Sequence, residues 1–146
     1  MNVTRKQFWD TRLLHDFLLA RASEPFSWGE NDCALFAADG IQAMTDVDIA
    51  ADFRGQYADE ASAFAAIKRI SGGESVADAA AYCAQKFGLD ELQHPLLAQR
   101  GDLVVFENAG RMISGLVHLS GRHVVSVAES GLFRFPITAV KRAWHV

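Results

Sequence analysis

The sequence lacks the features that mark membrane, nucleic-acid-binding and metal proteins. No apolar run approaches the roughly 20 residues that a helix needs to cross a bilayer. The 14 Lys and Arg residues are scattered through a chain of net charge −4, so no basic stripe forms. Cys-x-x-Cys and His-Glu-x-x-His motifs are absent. We therefore expect no membrane insertion, no nucleic-acid partner, no metal and no cofactor.

Cysteine is scarce, and a secretory signal is missing. Cys33 and Cys83 are the only cysteines, too few for a disulfide framework. The first ten residues are polar and contain no apolar core of a signal peptide, which predicts a chain made and folded in a cytoplasm. With half of its 146 residues apolar, the chain is long enough for a single globular domain over residues 1–146.

The first two thirds of the chain have helical periodicity. Apolar residues recur at helical steps in four segments, residues 4–21, 32–44, 59–70 and 75–87. Thr4 is the predicted N-cap of the first helix, and Asn31 or Asp32 that of the second. Cys83 falls on the apolar stripe of the fourth helix, which predicts a buried structural thiol.

The last third has the pattern of short strands. Strands are predicted over residues 102–106, 112–119, 123–128 and 132–135, with a last edge strand over residues 143–146. Residues 120–122 form the expected tight turn between the second and third strands. The sequence therefore predicts an α+β fold, with N-terminal helices packed on one face of a small antiparallel sheet formed by the C-terminal half.

The most informative stretch is Trp28–Phe36, which places Cys33 at the start of the second helix. Free backbone N–H groups there can stabilise a thiolate and also an oxyanion on an attacked carbonyl. Cys33 is therefore the candidate nucleophile, and Trp28, Asn31 and Asp32 are candidate binding residues beside it. The alternative is that Cys33 is a small apolar side chain on a helix face.

Two segments resemble the NlpC-type cysteine peptidases, papain-like enzymes that cut peptides of the bacterial cell wall. Asn31–Phe36 is similar to their Asp-Cys-Ser/Ala-x-Leu/Phe segment, and Arg100–Phe106 to their Pro-Gly-Asp-Leu-Val-Phe-Phe strand. The chain also resembles short tail-region proteins of phages, prophages and gene transfer agents, in Trp28–Cys33, Asp52–Tyr57 and Arg142–Val146. The resemblance implies a papain-like NlpC-type fold in which the cysteine opens a helix packed on the sheet.

The chain departs from that family at the general base. Matching the family's His-Val-Gly-Ile-Tyr-x-Gly motif by its glycine puts Ile113 where the histidine should be, and the third polar residue falls near Ser126. His118 lies on the same predicted strand, five residues along, and would face the opposite side unless a bulge intervenes. His123 begins the next strand. His118 and His123 are the two candidates for a base to Cys33.

The resemblance implies a phage-type tail-tip (baseplate) component, made in the host cytoplasm and carried in the virion. As an enzyme it would cleave peptidoglycan stem peptides during cell-wall penetration. As an alternative, it would be a catalytically degenerate adaptor or plug bound to tail hub proteins, with Trp28, Tyr57 and Trp144 as partner contacts. A third hypothesis is an intracellular amidase or transferase of the same fold.

Overall fold

A computed structural model describes residues 3–146, and these residues adopt an α+β fold. Four α-helices precede a five-stranded antiparallel sheet with the strand order β4-β3-β2-β1-β5. The elements are α1 (His15–Arg21), α2 (Cys33–Thr45), α3 (Glu60–Ser71), α4 (Val76–Lys86), β1 (Leu103–Asn108), β2 (Arg111–Val117), β3 (His123–Ala128), β4 (Gly131–Pro136) and β5 (Val140–Trp144). The α+β prediction is therefore confirmed. The predicted domain also includes residues 1 and 2, which lie outside the described residues.

Local signals fix the ends of α2, α3 and α4. The side chain of Asp32 accepts a hydrogen bond from the backbone N–H of Leu35, so Asp32 is the N-cap of α2. Asp59 and Ser75 cap α3 and α4 in the same way. Gly72 ends α3 in the left-handed conformation, which glycine adopts without steric cost. These three helices lie within a residue or two of their predicted bounds.

The predicted start of the first helix is wrong. The segment 4–8 is not helical, and a π-helical turn (Trp9–Leu14) precedes α1. Tertiary contacts hold the segment instead: the N–H of Lys6 donates to the carbonyl of Met44, and Arg5 pairs with Asp102 at 2.8 Å. These bonds outweigh the weak helix signal of a Thr4 cap, because tertiary context overrides local propensity.

The helices cover one face of the sheet. α2 packs on β2 and β3, and α4 packs on β2 and β1. Gly40 lets α2 approach closely, since a Cβ at this position would lie 2.4 Å from Cδ1 of Leu116. Cys83 on α4 is buried and free, as predicted. No helix among residues 3–146 is long and apolar enough to cross a membrane.

The opposite face of the sheet has a smaller apolar cluster of its own. Val104, Phe106, Val117 and Val124 are fully buried there. Three phenylalanine rings pack edge-on in this cluster, with centroids 5.2–6.3 Å apart; they belong to Phe106, Phe133 and Phe135. The helices therefore lie on one face, as predicted, and the other face is closed largely by side chains of the sheet itself.

The last strand begins earlier than predicted. β5 runs over Val140–Trp144 and pairs antiparallel with β1, with an irregularity in register between Val105 and Phe106. It is an edge strand, as predicted. The residues of β5 that form the strand are those that pair with β1. The local sequence pattern does not reveal this partner.

Candidate functional site

Cys33 borders a cavity of about 390 Å³ between the helices and the sheet. The walls come from α2, α3, α4, the irregular segment 46–58, and the first strands of the sheet. Most lining residues are apolar. The polar side chains at its wall include those of Asp32, Cys33, Tyr57 and Ser114. The first turn of α2 is therefore the polar end of a mainly apolar cavity.

Asp32 positions this first turn. Its Oδ1 accepts the N–H of Leu35 at 2.9 Å, and its Oδ2 accepts the N–H of Gly29 at 3.0 Å and the hydroxyl of Tyr57 at 2.6 Å. The residue is 2% exposed. Because both carboxylate oxygens already hold donors, Asp32 serves as a structural cap at the wall of the cavity. Among these bonds none reaches the Cys33 thiol.

Gly29 allows the segment 46–58 to come this close. Its φ of +80° is in the left-handed region, and a Cβ here would lie 2.4 Å from the backbone carbonyl oxygen of Tyr57. Both the backbone conformation and the space therefore require glycine. The Trp28-Gly29 loop and Tyr57, which are far apart in sequence, meet at Asp32.

The Cys33 thiol is neutral at physiological pH. The residue is partly exposed and borders the cavity. Burial, the largest cause, and the nearby Asp32 carboxylate together raise the pKa of Cys33 to about 11. Hydrogen bonds from the backbone N–H groups of Ser114, Ala34 and Cys33 itself lower the pKa, but less than burial raises it. The helix start alone thus does not produce a thiolate here.

Tyr57 is not a base for this thiol. Its hydroxyl donates to Asp32. Burial and the Asp32 carboxylate hold the pKa of Tyr57 well above its ordinary value, so the phenol stays protonated.

Asn31 is part of the scaffold and lies outside the cavity lining. Its Nδ2 donates to the carbonyls of Glu24 and Pro25, and its Oδ1 accepts from Arg21 at 3.0 Å. The amide is thus fully engaged within the protein, and Asn31 is 2% exposed. The predicted binding role is therefore replaced by a structural one for Asn31.

A chain of ion pairs continues from Arg21 to the segment 46–58. Arg21 and Arg54 each pair with one oxygen of Asp39 on α2, at 2.7 and 2.8 Å. Arg54 also pairs with Asp48 at 2.8 Å. Arg54 thereby fastens the segment that forms one wall of the cavity to the helix that carries Cys33.

Trp28 and Trp144, both predicted as contacts, differ in exposure. Trp28 lines the cavity and packs edge-on against Phe26, with ring centroids 4.9 Å apart. Trp144 is 2% exposed and belongs to the main core. The prediction that Trp144 contacts a partner is therefore wrong, because its side chain is buried within the fold.

The strand β2 presents Ser114 to Cys33, while Ile113 belongs to the other side. Cα of Ile113 pairs with that of Phe106, and the Ile113 side chain packs in the cluster on the far face. Although Ile113 also borders the cavity, strand alternation places Met112 and Ser114 on the helix side. Ile113 takes the position of the catalytic histidine when the chain is aligned with the cysteine peptidases by the glycine of their motif. Its side chain is directed away from α2.

Neither candidate histidine comes to Cys33. His118 has the same strand parity as Ser114, so facing does not exclude it, but four positions correspond to about 13 Å along a strand. Its Nδ1 accepts the N–H of Ser120 at 3.0 Å, and Nδ1 of His123 lies 3.2 Å from the Ser120 hydroxyl. Neither histidine lines the cavity. Both imidazoles lie at the turn that joins β2 to β3.

Neither His118 nor Ser126 forms a hydrogen bond with Cys33. Burial lowers the pKa of His118, and the neighbouring Arg134 and His123 lower it further. Ser126, the other family position, donates its hydroxyl hydrogen to the carbonyl of Ser114 at 2.7 Å. Ser126 therefore supports the strand that faces Cys33, without reaching the thiol.

Metal binding finds no support in residues 3–146, where no group of three or more His, Cys, Asp or Glu residues is placed to hold an ion.

Comparison with known families places the whole site in one family. A family model described as a domain of unknown function, DUF6950, matches residues 4–146. The chain belongs to the DUF6950 family. No curated protein and no solved structure matches it. The DUF6950 match covers Cys33, Asp32 and Tyr57, so these residues lie within the family's domain, and their chemistry follows from the geometry above.

Sequence reasoning missed the positioning role of Tyr57 and Arg54 in this DUF6950 chain. Both occur in the segment Asp52–Tyr57, which resembles a segment of the tail proteins but does not by itself reveal the partners of these side chains. The available signal was the isolated Arg and Tyr in an acidic, irregular loop, since such side chains often pair with buried carboxylates. Their partners, Asp39 and Asp32, are on α2 and at its N-cap, and cannot be read from the loop.

Proposed function

We propose that this protein is a tail-tip component of a phage-type particle, in which an NlpC-type papain-like fold serves as a structural adaptor. In this role it is made in the host cytoplasm, is carried in the virion and binds tail hub proteins. The peptidase chemistry of the fold has been lost.

The arrangement of the elements supports the fold assignment. Cys33 begins a helix that packs on an antiparallel sheet. The strand β1 follows directly after Gly101 and Asp102, as in the cysteine peptidase segment that Arg100–Phe106 resembles. Four helices precede this sheet in the chain, so the order also agrees with the resemblance.

The observation that carries the loss of activity is the surroundings of the Cys33 thiol. Its pKa is raised to about 11, and no imidazole lines the cavity in residues 3–146. A cysteine nucleophile needs a base or a lowered pKa to form the thiolate that attacks a carbonyl. Cys33 has neither.

Two of the segments that resemble tail proteins stabilise this fold. Val146, the last residue of the segment Arg142–Val146, donates its N–H to Asp102, which is fully buried and also binds Arg5. The segment Asp52–Tyr57 fastens one wall of the cavity to α2 through Arg54 and Tyr57. Motifs that stabilise a domain are what a structural adaptor needs to retain.

The test is to assemble the particle with a deletion of this chain or with Cys33→Ala. We expect the deletion to give tails without a complete tip, and Cys33→Ala to assemble and deliver DNA as the wild type does. Cys33→Ser is the matched polar control. If particles complete their tips and infect without the chain, or if the chain is absent from the purified particle, the proposal is wrong.

One observation favours the peptidase as a second candidate. Cys33 lies in the first turn of α2, and the backbone N–H groups of Cys33, Ala34 and Ser114 on β2 lower its pKa. Such groups can also hold an oxyanion. Purified protein with peptidoglycan stem peptides tests this directly. Release of new amino groups that is lost in Cys33→Ala would establish the peptidase and overturn the adaptor. His118→Ala and His123→Ala would then identify the base.

A further inference from the structure

The cavity beside Cys33 is large enough to hold a small molecule. An engineered cavity of 150 Å³ already holds benzene in another protein, and this one measures about 390 Å³. Natural small-molecule sites begin at about 300 Å³ and are lined mainly by apolar side chains. In size and lining, the cavity thus falls in the class of ligand sites.

Several polar groups at its wall are already engaged within the protein. Both oxygens of Asp32 hold donors, and the Tyr57 hydroxyl donates to one of them. The hydroxyl of Ser75 accepts the N–H of Asp78 and so caps α4. The carbonyl of Ser114 accepts from Ser126. Water in this space would find few free partners, and ordered internal water needs two to four of them.

The charged side chains that line the cavity are engaged within the protein or exposed to solvent. Asp32 is saturated, and Arg111 pairs with Glu60 on α3. Glu74 is exposed and would repel an anion. Both thiols that line the space, Cys33 and Cys83, are neutral at pH 7 because their pKa values are raised to about 11 and about 12, chiefly by burial. A charged occupant would lose its hydration without compensation.

We propose that this cavity binds an uncharged, mainly hydrocarbon or aromatic small molecule. The volume is about 2.6 times that of the benzene-binding cavity, which corresponds to roughly two to three aromatic rings. Two aromatic side chains of its lining, those of Trp28 and Phe64, are partly exposed. The site depends on the cavity and not on peptidase or adaptor activity, so it stands or falls independently of the proposed function.

The probe for the test is N-phenyl-1-naphthylamine, an uncharged fluorophore in which a naphthalene is linked to a phenyl ring. We expect a saturable rise in its fluorescence with the full-length protein at a single class of site. Naphthalene should displace it, whereas 1-naphthalenesulfonate should compete about tenfold less well, since the sulfonate must be desolvated. Equal competition by the sulfonate would overturn the inference that the occupant is uncharged, and absence of saturable binding would overturn the site.

A filling variant locates the binding. Ala63 on α3 is buried and lines the cavity, whereas Ala65 on the same helix is exposed and does not line it. Ala63→Phe should weaken probe binding about tenfold by occupying the space, and Ala65→Phe should leave it unchanged within about twofold. Equal binding by Ala63→Phe and wild type would place the probe elsewhere and overturn the site.

A measurement on the wild type guards against misfolding of the variant. Cys33 lies at the polar end of the cavity, so saturating naphthalene should slow alkylation of Cys33 by iodoacetamide at high pH, followed by peptide mass spectrometry. Ala80→Leu, on α4 across the cavity, is a second filling variant and should act like Ala63→Phe. Unchanged alkylation of Cys33 at saturating naphthalene would contradict the proposed location.

Discussion

The hydroxyl of Tyr57 donates a 2.6 Å hydrogen bond to Oδ2 of Asp32, the residue that caps the helix of Cys33. Asp32 also accepts the N–H of Gly29 through the same oxygen. One buried carboxylate therefore joins a loop, a helix start and the irregular segment 46–58. The position of Cys33 depends on this junction.

Tyr57→Phe should destabilise the protein by about 1–2 kcal/mol, because a hydrogen bond to a buried charged group is lost. Urea unfolding followed by circular dichroism measures the change. Tyr82→Phe is the matched control, since its hydroxyl also bonds a carboxylate, that of Asp52, but near the surface. A larger effect from Tyr82→Phe than from Tyr57→Phe would contradict the importance of the Asp32 junction.

Gly29→Ala should cost about 2–4 kcal/mol, the sum of left-handed backbone strain and a steric clash. The clash is with the carbonyl oxygen of Tyr57, which lies 2.4 Å from the position that the alanine Cβ would take. Gly55→Ala isolates the strain, since Gly55 has a φ of +78° with no atom within 4 Å of its Cβ position. Thermal unfolding should show a larger loss of stability for Gly29→Ala than for Gly55→Ala. Equal losses would contradict the steric role of the Tyr57 carbonyl.

Alkylation of Cys33 should be slow at pH 7 and accelerate up to about pH 11, where its pKa lies. Only about one thiol in 10⁴ is ionised at pH 7 with such a pKa, and the thiolate is the reactive form. The measurement is the rate of alkylation by iodoacetamide from about pH 6 to about pH 11, which covers the rising part of the profile. Free cysteine is the reference. An inflection below the pKa of free cysteine would instead indicate an activated nucleophile.

Acid should weaken the Arg54 clamp, by which we mean the ion pairs of Arg54 with Asp48 and with Asp39 on α2. The hydrogen bond from Arg54 holds the pKa of Asp48 below its ordinary value of 3.8, so this pair stabilises the fold above that value and loses its effect as pH falls through the lower, folded-state pKa. At neutral pH, Arg54→Met should cost about 1 kcal/mol, a modest figure because solvent screens a side chain that is 36% exposed.

The measurement is the free energy of unfolding of both proteins between about pH 6 and about pH 2. The difference between wild type and Arg54→Met should shrink towards the acid end, as protonation of Asp48 removes the pair from the wild type. Arg69→Met, on an exposed part of α3, controls for loss of a positive charge. A difference that stays constant with pH would show that the clamp contributes through packing and not charge.

Asp102→Ala should destabilise the protein by about 3–5 kcal/mol, because it leaves Arg5 without its buried partner. Asp102 is 0% exposed and also accepts the N–H of Val146, so hydrogen exchange near residues 143–146 should accelerate. Glu91→Ala removes an exposed pair with Arg142 and should cost less than about 1 kcal/mol. Similar losses for both variants would argue against Asp102 as the anchor of both ends of the chain.

The fold was largely predictable because its signals are local. The caps of α2, α3 and α4 and the change from helical to strand period lie within short stretches of sequence, and they place those elements nearly at their observed bounds. The segment 4–8 was not predictable, since Arg5 and Lys6 are held by Asp102 and Met44. Contacts so distant in sequence leave no local pattern.

The site was predictable only in part, for the same reason. Cys33 and Asp32 are adjacent in sequence, and their positions at the helix start follow from capping. The separation of His118 and His123 from Cys33 depends on where β2 ends and on which residues of β2 face the helices, which the register with β1 fixes.

The sequence by itself determined an α+β domain with one cysteine at the start of a helix, because capping, periodicity and turns act over a few residues. The tertiary structure decided what surrounds that cysteine: a neutral thiol in an apolar cavity, a carboxylate saturated by Tyr57 and Gly29, and imidazoles at a distant turn. These are properties of side chains brought together by long-range packing, and burial, which sets the pKa of Cys33, exists only once the chain has folded.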